Sequence, residues 1–170
     1  MEIPKRLWIA MVVLGAGARL LPHPWNFTPM MAIGLFAGSQ ARKASTGVLA
    51  TLVALVLSDA VLGFYSGFWY VYAAALIPVL FGRLIRNRSG AAAIATAALV
   101  SSLSFFMITN FMVWATEQLY PHTLGGLSEC FLAGIPFYRN QVLGDAVYTV
   151  GIFGGYTLLN RLCQPAQQAA

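Results

Sequence analysis

Long apolar runs alternate with short polar segments along the whole chain, and this pattern predicts a series of membrane-spanning helices. A helix of about 20 residues crosses a hydrocarbon core of about 30 Å. The second run is too short to cross unaided, so we expect it to be tilted, extended by its flanks or sheltered by neighbours. The six predicted spans are residues 7–21, 29–41, 46–64, 69–85, 91–116 and 141–162.

A further apolar segment, residues 127–137, is short and contains Pro136 close to its end. Because proline interrupts helices, we predict a separate outer element that lies at the membrane surface or caps a cavity. The predicted fold is therefore all-α, with residues 1–170 forming a single transmembrane domain of six helices.

The composition indicates an integral membrane protein. The 170 residues are 59% hydrophobic and only 9% charged, with a mean hydropathy of +0.72. A soluble domain of this length carries far more charge. The two cysteines, Cys130 and Cys163, have neither the number nor the spacing of a disulfide framework or a zinc site.

Basic residues predict the orientation, because Lys and Arg accumulate in short cytoplasmic loops. Most basic residues fall in loops on one side of the predicted spans, whereas the loops on the other side contain Glu117, Glu129 and a single clear basic residue, Arg139. Both termini are therefore predicted to be cytoplasmic. The net charge of +5 gives no support for nucleic-acid binding, since no basic helix gathers these groups. The predicted cytoplasmic residues are Lys5, Arg6, Arg42, Lys43, Arg83, Arg86, Arg88 and Arg161.

The N-terminal segment has a second interpretation, as a secretory signal. Lys5 and Arg6 precede an apolar stretch, and residues 16–18 are small, as at a cleavage site. The apolar run resumes at Leu20 and Leu21, which favours a membrane span. Mass spectrometry of the N-terminus separates the two interpretations.

Three ionisable residues interrupt the predicted spans, each in the outer half of its helix: Arg19, Asp59 and Asp145. A charge in hydrocarbon costs at least a few kcal/mol unless it is paired or hydrated. We therefore expect the three to converge, with Arg19 paired to Asp145 or to Asp59. A salt bridge that only holds the bundle together is the structural alternative.

The sequence LPHPWNFTPM forms the predicted outer turn between the first two spans. Pro22 and Pro24 restrict the backbone, which holds His23 in a defined place. Asn26 and Thr28 are predicted to hydrogen-bond the backbone where the second span begins.

Aromatic residues crowd the same predicted outer end, whereas the cytoplasmic end is apolar and basic. Many of these aromatics, with Trp25 as a candidate, fit the belt at a membrane interface. The asymmetry favours a receptor for an amphipathic small molecule captured from outside over a continuous pore. The candidate ligand-binding residues are Arg19, His23, Asn26, Asp59, Trp69, Tyr72, Asn110, Trp114, Arg139 and Asp145.

Small residues recur at a spacing of four, at Gly34 and Gly38 in the second span and at Ala50 and Ala54 in the third. This spacing allows helices to approach closely. It serves either contacts within the chain or the docking of a second membrane subunit.

Three longer motifs carry a family resemblance: RLLPHPWNFTPMMAIGLFAGS, SDAVLGFYSGFWYVYAA and IPFYRNQVLGDAVYTVGIFGGY. They resemble a bacterial inner-membrane family related to the S components of energy-coupling factor transporters, over most of the chain. The resemblance implies six helices, a vitamin or metal bound near the outer face, and docking on an ATP-driven module. The chain itself has no P-loop, so ATP hydrolysis needs a partner.

Within that group the chain is most similar to the solitary vitamin B12 S components, in which His23, Asp59 and Arg139 match motif positions. Those proteins present a cysteine to cobalt after the third span, whereas residues 65–75 contain none. Since a thiolate is a soft ligand suited to cobalt, its absence weighs against corrinoid binding. His23 is an alternative axial ligand. No resident cofactor is expected, and cobalamin enters only as a transported ligand.

The favoured hypothesis is a substrate-binding component for uptake of a vitamin or corrinoid-like compound. A structural or assembly subunit without a small-molecule ligand is the alternative. A membrane enzyme with His23 and Asp59 or Asp145 as an acid-base pair is a third, but neither GxSxG nor HExxH occurs. We therefore do not expect an enzyme.

Overall fold

The computed structural model describes residues 5–86 and 90–163, which form helices and short connections without a strand. Three of the described helices are long and apolar enough to cross a membrane: Ala44–Leu62, Ala91–Thr116 and the helix that includes Leu124–Leu162. The all-α prediction is confirmed, and a membrane location is supported. Arg88 and the rest of residues 1–4, 87–89 and 164–170 lie outside the described residues, as do the side chains of Lys5, Arg6 and Cys163. The helices are α1 Lys5–Leu20, α2 Met30–Gln40, α3 Ala44–Leu62, α4 Phe68–Ala74, α5 Ile77–Leu84, α6 Ala91–Thr116 and α7 Leu124–Cys163.

The short helix α2 occupies the centre of the molecule. Every residue from Met30 to Ser39 is buried, and α1, α3, α5, α6 and α7 pack around it. Its 11 residues span about 16 Å, roughly half of a hydrocarbon core. A helix that is apolar on all sides is stable only inside other helices. Of the three expectations for this short segment, shelter by neighbours is the one the structure shows.

Glycines bring α2 and α5 so close that their backbones touch. A Cβ on Gly38 would collide with the backbone of Val79, and a Cβ on Gly82 would collide with the carbonyl of Leu35. Only glycine permits this approach, because any side chain would force the helices apart. The contact is reciprocal, with one glycine contributed by each helix.

The four small residues at four-residue spacing are therefore used inside the chain. Gly34 and Gly38 on α2 face α5, and Ala54 on α3 lies against Gly15 of α1. All four are buried, with Ala50 and Ala54 fully enclosed. Of the two uses that the sequence left open for this spacing, the structure shows contacts within the chain, because neighbouring helices of the same chain cover these residues.

The predicted span 69–85 consists of two helices, α4 and α5, separated at Ala75 and Leu76. Pro78 lies in the first turn of α5. Proline has no backbone N–H, and its ring clashes with the carbonyl four residues earlier. It is well accommodated at a helix start but not in the middle of a longer helix, which explains the break.

Helix α7 runs without interruption through Pro136 for 40 residues, about 60 Å. The prediction of a separate capping element over residues 127–137 is therefore wrong. Packing against α6 explains the continuity, because Phe106 contacts Phe131 on one side of the proline and Tyr138 on the other, at ring-centroid distances of 5.6 and 4.6 Å. Loss of one backbone hydrogen bond does not outweigh these contacts.

The connections between helices lie at two ends of the molecule. Arg83 donates to the carbonyl of Ala41 at 2.9 Å, and Arg86 donates to that of Arg42 at 3.2 Å. These bonds join the α2–α3 connection to the end of α5. We call this the basic end, made up of residues 41–43, 85–86 and 90–91.

The α1–α2, α3–α4 and α6–α7 connections meet at the opposite end. Ser66 and Tyr70 both donate to the carboxylate of Glu117 at 3.2 Å. Trp25 stacks edge-on against Phe137 of α7, with ring centroids 6.2 Å apart. We call this the cavity end, made up of residues 21–29, 63–67 and 117–123.

Candidate functional site

An ion pair joins α1 to α3 near the cavity end. The guanidinium of Arg19 contacts the carboxylate of Asp59, and its Nε also donates to Ser58 Oγ at 2.7 Å. Asp59 is 1% exposed. Of the two partners expected for Arg19, the structure selects Asp59.

A third helix contributes to the same cluster. The hydroxyl of Tyr72 on α4 donates to the second carboxylate oxygen of Asp59 at 2.7 Å. Both oxygens of this buried carboxylate therefore have partners, which is the condition under which a buried charge is tolerated. Arg19, Ser58, Asp59 and Tyr72 form what we call the Asp59 cluster.

A cavity of about 570 Å³ opens beside the Asp59 cluster. This volume falls within the range of about 300–1,000 Å³ typical of small-molecule sites. An apolar floor is formed by residues such as Met30, Met31 and Leu55. Its polar lining residues are Arg19, His23, Asn26, Thr28, Thr109, Gln141 and Asp145, and its aromatic ones are Trp25, Tyr65 and Phe105.

Asp145 stands on the wall of this cavity without a partner. It is 4% exposed, and neither carboxylate oxygen makes a hydrogen bond among the residues that the structure describes. Gln141, one turn earlier on α7, directs its amide to the carbonyl and the hydroxyl of Ser102, both at 2.9 Å. The alternative pairing of Asp145 with Arg19 is therefore wrong, and Asp145 is a buried acid that lacks a counter-charge.

Asn26 shapes the turn above the cavity through its backbone. Its φ of 60° lies in the left-handed region, which asparagine tolerates better than most residues. Phe27 donates its N–H to the Pro24 carbonyl at 3.0 Å, which closes the turn. No side chain caps α2, whose N-cap is Pro29, so the prediction that Asn26 and Thr28 cap this helix is wrong.

His23 presents one ring nitrogen to the backbone. Its Nδ1 lies 2.8 Å from the carbonyl of Pro24, which only accepts hydrogen bonds, so Nδ1 carries the proton in the neutral ring. Nε2 is then the free acceptor or ligand atom. His23 is exposed and lines the cavity. Within the described ranges no three His, Cys, Asp or Glu residues are grouped as for a metal ion.

A second hollow of about 510 Å³ adjoins the first and shares Trp25, Asn26 and Tyr65 with it. Its far wall is formed by α6 and α7 and includes Asn110 and Cys130. The Asn110 side chain is engaged within its own helix, since it donates to the carbonyl one turn earlier at 2.8 Å. The buried thiol of Cys130 donates to the Asn110 carbonyl at 3.3 Å.

Five predicted site residues do not line either hollow: Asp59 and Tyr72, which belong to the buried Asp59 cluster, and Trp69, Trp114 and Arg139. Trp69 is 55% exposed and stacks on the neighbouring Tyr70. Trp114 donates its indole N–H to the Pro121 carbonyl at 3.0 Å. Arg139 is exposed on α7. The two tryptophans fit a membrane-interface belt better than a ligand site.

Seven polar or aromatic residues of the site were not among the predicted binding residues: Trp25, Thr28, Ser58, Tyr65, Phe105, Thr109 and Gln141. Gln141 lies four residues before Asp145, so both share one helical face, and Ser58 directly precedes Asp59. Tyr65 lies in the α3–α4 connection. Partial burial, with the Asp59 carboxylate nearby, raises the pKa of Tyr65, although Arg19 opposes this effect.

The fold and the site together define an all-helical protein with three candidate membrane spans and a polar, aromatic-lined cavity between its helices. The chain belongs to the DUF6580 family, described as a family of unknown function, whose profile matches residues 3–167. No curated protein and no solved structure matches the chain.

Proposed function

We propose that the protein is the substrate-binding component of an uptake system and captures a small amphipathic molecule in the cavity beside the Asp59 cluster. The observation that carries this proposal is the buried polar wall itself. Asp145 and the Asp59 cluster border a cavity of about 570 Å³, where an apolar floor faces aromatic side chains. A pure scaffold has no need for an unpaired acid at such a place.

We further propose that the chain crosses the inner membrane of a bacterium six times, with α4 and α5 together forming one passage. Both termini are then cytoplasmic, and the cavity end faces outward. The distribution of charge supports this orientation, since arginine and lysine gather at the basic end and Glu117 lies at the cavity end. The resemblance to S components, which bind their ligand near the outer face, supports the same orientation.

The size of the cavity favours a vitamin-sized ligand over a corrinoid. A corrinoid would have to fill both hollows, which share their walls at Trp25, Asn26 and Tyr65. Cys130 is 2% exposed and occupied with the Asn110 carbonyl, so it is poorly placed to serve as the missing cobalt ligand. His23 Nε2 is the atom available to a metal-bearing ligand.

The test is to purify the full chain from its membrane and to identify retained small molecules by mass spectrometry and absorbance. Thr109→Trp fills the space shared by both hollows and should abolish retention. Met107→Trp is the matched control, because Met107 lies on the same helix and is 48% exposed. A wild-type protein without any ligand, or equal retention by both variants, contradicts the proposal.

A structural or assembly subunit is the second candidate. It is favoured by the way the Asp59 cluster ties three helices together at one point. A stable partner protein that copurifies with wild type and Thr109→Trp alike, with no retained small molecule, would support it. An energising ATPase module remains a candidate partner for the uptake function, through a surface other than the buried faces of α2 and α3.

A further inference from the structure

The charged groups on the cavity wall do not cancel. Arg19 is matched by Asp59, whereas Asp145 forms neither an ion pair nor a full hydrogen bond among the described residues, although the side chains of Ser102 and Gln141 lie near it. His23 also lines this wall, but its side chain is exposed and its Nδ1 hydrogen-bonds the Pro24 carbonyl. The wall therefore carries one buried carboxylate without a counter-charge, which is unfavourable unless a bound molecule supplies one.

Aromatic rings line part of the space that this carboxylate borders. Trp25, Tyr65 and Phe105 line the same cavity as Asp145. The faces of such rings attract cations, most strongly where water is excluded. A carboxylate combined with aromatic faces is the environment that stabilises a desolvated organic ammonium group.

The same cavity is unsuited to a bare metal ion or to an anion. It is far larger than one ion, and the described residues contain no group of three metal ligands. An anionic ligand would meet Asp145, while the one nearby guanidinium, that of Arg19, already serves Asp59. The apolar floor at Met30 and Leu55 instead accommodates the carbon skeleton of an organic molecule.

We propose that the ligand is an organic cation, such as an amine, a quaternary ammonium or a positively charged heteroaromatic ring, whose charge lies against Asp145. This inference rests on the proposed small-molecule function and names its substrate class. The aromatic residues hold the body of the molecule, and Asn26, Thr28 and Thr109 offer hydrogen bonds to its polar substituents.

The first experiment uses the full wild-type chain in lipid nanodiscs and four small probes of similar shape. They are 2-phenylethylamine, benzyltrimethylammonium, the neutral 2-phenylethanol and the anionic phenylacetate. We expect both cations to bind at least tenfold more tightly than the other two, a difference of about 1.4 kcal/mol. Binding of the quaternary probe shows that charge, and not only an N–H donor, is recognised.

The second experiment removes the acid. Asp145→Asn should lower the affinity for both cations about tenfold and leave that for 2-phenylethanol unchanged. Glu129→Gln is the matched control, because it removes the same charge from an exposed position on the same helix. It should change none of the four affinities. The wild-type comparison needs no variant, so the inference stays testable if Asp145→Asn does not fold.

The outcomes separate the two proposals. Equal binding of 2-phenylethanol and the cations, or full cation binding by Asp145→Asn, overturns the organic-cation inference. If the favoured probe is neutral or anionic and Thr109→Trp abolishes its binding, the small-molecule function stands with a different substrate class. Absence of binding for all four probes rejects both.

Discussion

The hydroxyl of Tyr72 donates a 2.7 Å hydrogen bond to the carboxylate of Asp59, on the oxygen that the ion pair with Arg19 does not use. Three helices are thereby tied together through one buried carboxylate. The wall of the cavity is positioned by this contact, because Arg19 lines it directly. Stability and the shape of the cavity are therefore linked at this end of the molecule.

Replacement of Asp59 by asparagine should destabilise the protein by about 3 kcal/mol, because it leaves the Arg19 guanidinium without a counter-charge. Equilibrium unfolding in mixed detergent micelles measures the loss. Glu129→Gln removes an exposed acid and should change stability by less than about 0.5 kcal/mol. The double variant Arg19→Met with Asp59→Leu should regain most of the loss, and a double variant as unstable as Asp59→Asn argues against the ion pair.

Tyr72→Phe should cost about 2 kcal/mol, since it removes a hydrogen bond to an ionised group. The measurement is the same unfolding titration, with Tyr148→Phe as control because the ring of Tyr148 packs against Phe27. In an Asp59→Asn background the effect of Tyr72→Phe should shrink. Full additivity of the two substitutions would show that the hydroxyl acts elsewhere.

Gly38→Ala should destabilise the protein by about 3 kcal/mol or prevent its accumulation, because the new methyl group meets the backbone of Val79. Gly151→Ala on α7 is the matched change, since nothing lies within 4 Å of its added Cβ. It should be neutral or stabilising by about 0.5–1 kcal/mol. Yield and unfolding midpoint compare the two, and similar behaviour would contradict the close α2–α5 contact.

Tyr65 should give the protein a pH dependence in the alkaline range. The pKa of Tyr65 is raised above its ordinary value of 10.0, so the folded state keeps the neutral phenol to higher pH than the unfolded state does. The resulting stabilisation is present below about pH 10 and is lost as the pH rises through the raised pKa. Wild type should lose stability relative to Tyr65→Phe as the pH rises above about 10, whereas the difference between the two proteins should be constant at lower pH. Parallel profiles for the two proteins would refute this.

Hydropathy predicts the extent of a long helix well, since the bounds of α6 match the predicted span 91–116. The cost of buried charge predicts a carboxylate partner for Arg19, and Asp59 is that partner, while Asp145 lines the same cavity as Arg19 without a counter-charge. The same pattern does not fix rotation about each helix axis. The choice of Asp59 over Asp145 as the partner of Arg19 depends on that rotation, and the sequence left it open.

Local residue type also leaves packing undetermined. Pro78 separates two helices, whereas Pro136 lies inside a continuous one, because α6 supports the chain on both sides of Pro136. Trp69 and Tyr72 are three residues apart on α4, yet one is 55% exposed and the other is buried against Asp59. Aromatic composition alone could not distinguish a residue of the outer surface from one of the site.

The enclosure of α2 has a consequence for biogenesis. A segment of 11 residues that touches five other helices offers no lipid-facing side and is too short to reach across a bilayer alone. The stable insertion of α2 therefore requires the helices that surround it, and two of these, α6 and α7, are synthesised after it. Damage to this helix should therefore appear as chains degraded during assembly, before any effect on the folded protein could be observed.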